Sequence, residues 1–271
     1  SRWANILGQS SGAVATISDG GANDKKNREI FEERVEMVLD CWTKDSVELN
    51  GKFYQAPFLV DLAREAGAEG EVDENGALRR ISVVPKPLQQ PHPPCFVAVA
   101  RSRATIEFAA KHGFRPSYFN PTDGVVELAK VYQEECAKHG RPVQFGQNQN
   151  IVRHTRIGKS AADFDRKLRD YDLDIFKNFY SVFGNHNVEP VNHDADAAFN
   201  AMKEHKFILG GTVDDAIRDW QEIYSRIPCE YITLIWHWAQ QPKDELLEEM
   251  QLFMDKVIPE LETPDFEIAA A

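Results

Sequence analysis

The run Pro91–Gly113, reading PHPPCFVAVARSRATIEFAAKHG, leaves few folds open to the chain. Pro91, Pro93 and Pro94 hold the backbone extended, because a proline ring fixes its own φ and restricts the residue before it. Cys95-Phe96-Val97-Ala98-Val99-Ala100 follow, apolar throughout and rich in β-formers. Such a run suits a strand buried on both faces of a parallel sheet, although periodicity alone leaves a buried helix open. Ser102 then stands at a helix N-cap position ahead of Ala104 to Ala110, and Gly113 ends that helix. A strand feeding straight into a helix whose first turn holds Arg101, Ser102, Arg103 and Thr105 offers an anion, phosphate above all, unpaired N–H groups, hydroxyls and positive charge. A plain serine cap on an α/β helix accounts for the same residues.

A chain of 271 residues with 42% hydrophobic content can bury one sizeable core, so one domain over 1–271 is expected. A net charge of −12 argues against nucleic acid and against an anionic membrane surface as partners. No apolar run has the length of a membrane span. Cys41, Cys95, Cys136 and Cys229 contain no C-x-x-C pair, and the helix and strand patterns around Cys41 and Cys95 read as core. Free thiols fit a reducing cytoplasm. The eight histidines show no H-E-x-x-H arrangement, and no metal is expected.

Along the chain, Ala13 to Ile17 offers a short strand, and Asn27 caps a helix running to about Trp42 with Glu32, Glu33 and Glu36 on its solvated face. Asn50-Gly51 marks a hairpin within Val47–Tyr54, and Arg80–Val84 reads as a strand. Further strands are expected at Arg115–Phe119, Asn148–Ile157 and Tyr231–Trp236, alternating with helices that end at Lys138, open at Ser160 and begin at Val213. The segment from Phe176 to Ala197 reads as irregular, and His186 and His193 as surface loop residues. A closing helix spans Lys243–Leu261 with Leu246, Met250, Phe253 and Val257 on one face. This alternation gives a parallel α/β fold whose site lies at the carboxyl ends of the strands. That rule selects Arg101 and Ser102, Phe119 and Asn120, and His237 and Trp238. For His237, a satisfied rim histidine and a site residue stand level.

Several blocks carry a family likeness: NREIFEERVEMVLDCW with NGKFYQ, then VVPKPLQQPHPPCFVAVA through SRATIEFAAKHGF, then GGTVDDAIRDWQEI and LIWHWAQQPKDELLEEMQLFMDKVIPEL. In this order, from Asn27 to Leu261, they resemble the luciferase-like flavin monooxygenase family. The resemblance implies a TIM-type (β/α)8 barrel. About five candidate strands are visible where the barrel needs eight, so part of the N-terminal strand–helix units is expected to be lacking from this chain. It also implies that 55–84 is an insertion over the barrel mouth, with 1–26 hard to read and 262–271 a tail. The family's S-x-x-T phosphate pattern falls on Ser102 and Thr105. The flavin ring would lie against Val99, Ala100 and Arg101, with Asn120 also lining the pocket; His237, picked out by its strand-end position and not by the family pattern, is the candidate catalytic residue.

The implied cofactor is reduced FMN, or a deazaflavin in one branch of the family. The implied partners are O2, a small organic substrate and a flavin reductase, in a homo-oligomer, most simply a dimer. The early-strand histidine base and the phosphate-holding arginine of the family have no match here. A flavin-binding or partner-docking relative without activity of its own is the alternative.

Overall fold

A computed structural model describes residues 22–57, 70–99, 102–181, 194–236, 241–262 and 265–266. The expected strand at Ala13–Ile17, the middle of the 55–84 insertion, and His186 and His193 lie outside the described residues. Contacts gather the chain into two compact units, Ser1–Cys95 and Phe96–Ala271.

In the first unit, α1 (Ala22–Thr43) starts ahead of the expected cap at Asn27, since nothing from Ala22 to Lys26 breaks a helix. Glu33 is not solvated as expected. Its carboxylate accepts from the backbone N–H groups of Lys52, Phe53 and Tyr54 at 2.9, 3.0 and 2.8 Å, which pins the turn at Gly51. That turn joins β1 (Leu49–Asn50) to β2 (Gln55–Ala56) in antiparallel register, as the Asn-Gly pair predicts. Arg80–Val84 is not a strand: only Ile81 pairs, with Val47. The prolines that follow at positions 85 and 87 have no N–H to extend a ladder.

The second unit is a parallel α/β sheet. β3 (Phe96–Val99) pairs with β4 (Arg115–Tyr118), and β4 with β5 (Asn150–Ile157). β5 is the central strand. On one edge it carries β4 and then β6 (Ile208–Gly211), and on the other β7 (Tyr231–Ile235), all parallel. Among the described residues these five strands form an open sheet, and the closed barrel is not seen. The intervening helices are α2 (Arg103–His112), α3 (Thr122–Lys138), α4 (Ala161–Lys167), α5 (Ala195–Glu204), α6 (Val213–Arg226) and α7 (Lys243–Leu252).

β6 and α5 were not expected from sequence. Gly210 has φ 128°, and a Cβ placed there would lie 2.0 Å from the carbonyl oxygen of Arg156, so only glycine lets this short strand reach β5. Asp194 caps α5 by accepting from the N–H of Ala197. Helix α5 then packs Ala198, Phe199 and Met202 against Phe164, Leu168 and Phe176 of the run 161–180, which passes from α4 through π-helical turns.

Register sorts side chains to two faces. Val97, Val99, Tyr118, Ile151, Arg153, Thr155 and Ile157 lie on the buried face. Phe96, Arg115 and Tyr231 lie on the more open one, where the Arg115 guanidinium sits 5.6 and 4.8 Å from the two ring centroids. All four cysteines are free. Cys136 and Cys229 are buried, whereas Cys41 and Cys95 are only half-buried, contrary to expectation.

At the carboxyl end of β5 sits a buried ion network. Arg156 donates to Asp172 at 2.5 and 3.1 Å, to Glu249 at 3.2 Å and to Gln241 at 2.9 Å. Lys167 adds a second cation on Glu249 at 3.1 Å, and the Ile157 N–H donates to the same carboxylate at 2.6 Å. Two cations face two acids, which compensates charges that would otherwise be costly to bury. The expected apolar stripe of α7 is corrected here. Glu249 is inside and Met250 is exposed, while Phe253 and Val257 continue the buried side through the π-helical turn Phe253–Val257.

Glu249→Ala should therefore cost about 3–5 kcal/mol, because it strands Arg156 and Lys167 without a counter-charge. Glu248→Ala, beside it on an exposed pair with Lys159 at 3.5 Å, should stay within about 0.5 kcal/mol of wild type. Urea denaturation of the two variants checks this, and equal losses would mean the network does not hold the fold.

Candidate functional site

The parallel register Val99↔Tyr118 sets the ends of β3 and β4 side by side. Ser102 and Asn120 follow just beyond those ends, at the carboxyl ends of two neighbouring strands. Ala100, Arg101, His237 and Trp238 lie outside the described residues. Val99 is brought there too, but its side chain points to the buried face, leaving its backbone at the strand end.

Ser102 holds the N-cap of α2 with extended backbone, φ −88° and ψ 113°, yet its hydroxyl makes no capping hydrogen bond. The caps of α4, α5 and α6 behave differently. Ser160, Asp194 and Thr212 each accept from the N–H three residues on, and Thr212 closes a full capping box with Asp215. Helix α2 also has no acid in its first turn. Its positive end thus has neither a capping bond from Ser102 nor an acid in its own first turn, a chemistry that suits an anion. Thr105, one turn along on the same side, is buried at 7% exposure.

Of the two arginines that could add charge by turning inward, Arg103 does not. Helical spacing places Glu107 over it, and the guanidinium turns outward to Glu107 at 2.9 Å and Glu135 at 3.5 Å.

Beyond Asn120 opens a cleft of about 330 Å³. Asn120 and the first turn of α3 form one side, and Lys206, Asp219, Glu222 and Arg226 the other. Arg153 and His154 of β5 also line it. His154 is buried among rings, 5.1 Å from Phe119, 5.0 Å from Tyr180 and 4.6 Å from Phe207 between centroids. Arg153 and His154 were not singled out from sequence. The signal was available, since Arg153, His154 and Arg156 interrupt a strand whose neighbours are otherwise fit for burial. Among the described residues no group of three or more metal-ligating side chains occurs, and no helix is long and apolar enough to cross a membrane.

The family model described as Luciferase-like monooxygenase matches residues 2–207 of this chain. The alkanal monooxygenase alpha chain of Photobacterium leiognathi is 23% identical over 251 residues, which cover 84% of this chain and 67% of that protein. Among solved structures, monooxygenase RslO1 from Streptomyces bottropensis superposes with a TM-score of 0.65 at 20% identity, over 87% of this chain and 62% of that one. The oxygenating constituent of 3,6-diketocamphane monooxygenase from Pseudomonas putida, a type II Baeyer-Villiger enzyme in complex with FMN, gives 0.62 at 15% identity over 93% and 69%. These likenesses show the fold, and the chain spans about two thirds of the length of each relative.

The capping contrast predicts a difference in stability. Thr212→Ala should cost about 0.5–2 kcal/mol, the usual loss of a capping side chain, and Ser102→Ala should cost less than that, because no capping bond is lost with it. Thermal unfolding of both variants measures it. A larger loss at Ser102 than at Thr212 would show that the Ser102 hydroxyl serves the fold.

Proposed function

The chain belongs to the luciferase-like monooxygenase family, and on that premise we propose that it is a flavin-dependent oxidoreductase which oxygenates a small organic substrate. The observation that carries the reading is the first turn of α2. With no capping bond from Ser102 and no acid of its own, it stands at the strand ends, beside Asn120. This turn fits the phosphate of a flavin mononucleotide. The Ser102 and Thr105 hydroxyls and the leading N–H groups of α2 would hold the phosphate, and the backbone at Val99 would border the ring. Asn120 would supply a polar contact from the neighbouring strand end. When bound, reduced flavin supplies two electrons to O2, so that one oxygen atom enters the substrate and the other leaves as water.

The residues of the chain position and shield rather than react. Burial of Thr105 excludes water from one side of the anion site, which strengthens each hydrogen bond made there. FMN is the cofactor we favour, and a deazaflavin with a phosphate on its side chain is the runner-up. A separate flavin reductase would deliver FMN in its reduced form. Oxygen uptake with enzymatically reduced FMN, in the presence of an alkanal or a cyclic ketone, tests the activity. Uptake coupled to product supports the proposal. Flavin binding without coupled uptake would leave a binding relative, and no binding of FMN or a deazaflavin would overturn the reading.

The phosphate assignment has its own measurement. Thr105→Val keeps the side-chain shape and removes the hydroxyl. It should weaken FMN by about ten- to a hundredfold, or about 1.5–3 kcal/mol for one donor to a charged group. Riboflavin lacks the phosphate and should bind wild type and variant alike in the same titration. Equal weakening of both ligands, or of neither, would reduce Ser102 and Thr105 to the start of a helix.

A further inference from the structure

The cleft beside α3 contains one charge that its own walls do not answer. Arg153 is 8% exposed and lines the cleft. Its Nη1 donates to the Val152 carbonyl at 2.8 Å and to the Tyr118 carbonyl at 3.4 Å, while Nη2 reaches Thr122 Oγ1 at 3.4 Å. The two longer contacts are at the limit of a hydrogen bond, so much of the guanidinium's donor capacity is unspent. All three acceptors are neutral. Among the described residues no carboxylate reaches Arg153, and burial pushes its pKa down to about 10.

The other cations of the cleft are matched. Lys206 pairs with Asp219 and Glu222 at 2.9 and 3.2 Å, and Arg226 pairs with Asp123. A buried cation without an acid is costly to keep, which points to an anion supplied from outside. A second, independent feature faces the same space. The 17-residue α3 begins there at Thr122, behind Pro121, with no side-chain capping bond, and the one acid of its first turn, Asp123, is paired with Arg226, so the leading N–H groups of α3 still favour an anion beside Arg153.

We propose that this cleft is a second ligand site, which takes a small carboxylate monoanion with a flat apolar body. One unanswered guanidinium matches one negative charge, and its fork matches the two oxygens of a carboxylate. A dianion is disfavoured, because Asp123, Asp219 and Glu222 already share the walls. Phe119, His154 and Phe207 also line the cleft and pack on one another, so the apolar body of the ligand would meet the exposed edge of this ring cluster. A volume of about 330 Å³ suits a molecule of that size. The site does not depend on flavin, and Asn120 at its rim is the residue it has in common with the flavin site proposed above.

Calorimetric titration of sodium benzoate into the full chain, without flavin, tests the site. Benzamide serves as the neutral isostere and inorganic phosphate as the general anion. Benzoate should bind saturably at one site, with benzamide and phosphate each weaker by about tenfold or more, as expected for losing a charge-assisted bidentate contact. Arg153→Met should reduce benzoate affinity by a similar factor while leaving the melting temperature unchanged or raised, since it removes a buried uncompensated charge. Should that variant fail to fold, Arg153→Lys keeps the charge but loses the fork, and it should weaken benzoate severalfold. The proposal is overturned if benzoate does not bind, if benzamide or phosphate binds as well, or if the folded Arg153 variant binds benzoate like wild type.

Discussion

Everything at the carboxyl end of the central strand depends on the pairing of Arg156 with Asp172 and Glu249. A fully buried guanidinium could not remain in the sheet without both acids, and each acid comes from a different element. Asp172 belongs to the π-helical turn after α4, and Glu249 to α7. Glu249 also accepts from Trp236 at the end of β7 and from Gln241 just before α7. One carboxylate therefore registers the last strand, the closing helix and the backbone of β5 at Ile157. Apolar packing alone would not fix these elements so closely, because buried hydrophobic surface has no preferred direction. Trp220 and Phe253 complete the layer around them, edge to face at 6.0 Å.

Much of the fold was legible because its signals are local. The apolar run at Phe96–Val99 and the clusters at Arg115–Tyr118 and Tyr231–Ile235 are strands as read, and Thr122–Lys138 is bounded by the expected proline and glycine signals. Two of the misses share one cause, a tertiary partner that overrides the local pattern. Periodicity turned Met250 inward, but the waiting cations Arg156 and Lys167 bring Glu249 inside instead. Gly210-Gly211 reads as a turn, and Ile208–Gly211 is a strand because β5 offers an edge that a backbone without side chains at 210 and 211 can approach.

The candidate site divides in the same way. Ser102, Thr105 and Asn120 could be placed from sequence because strand ends and helix starts carry their own marks, and the family pattern falls on them. The hydroxyl of Ser102 looked like a cap, and only the three-dimensional contacts separate it from Ser160 and Thr212, which do cap. Arg103 looked like part of the anion site until helical geometry gave it to Glu107 and Glu135. Arg153 could not be assigned from its neighbours, since the absence of an acid around it is a property of several elements at once.

The placement of β5 between β4 and β7 sets a timetable for the growing polypeptide. Its two edges are filled at different moments: β4 has already been made but pairs only Asn150 and Ile151, β6 fills the rest of that edge some ~50 residues later, and β7 fills the other edge some ~80 residues later in synthesis. At about 5–20 residues per second, β5 emerges from the ribosome and waits roughly 4–16 s with one ladder of N–H and C=O groups unmatched. During that interval the polar side chains of Asn150, Arg153, His154 and Arg156 accompany the unmatched edge. Their hydration would discourage the strand from pairing with a neighbouring nascent chain before its own partner arrives. The charged residues that make this an unusual core strand in the finished protein would then also protect it while the protein is unfinished.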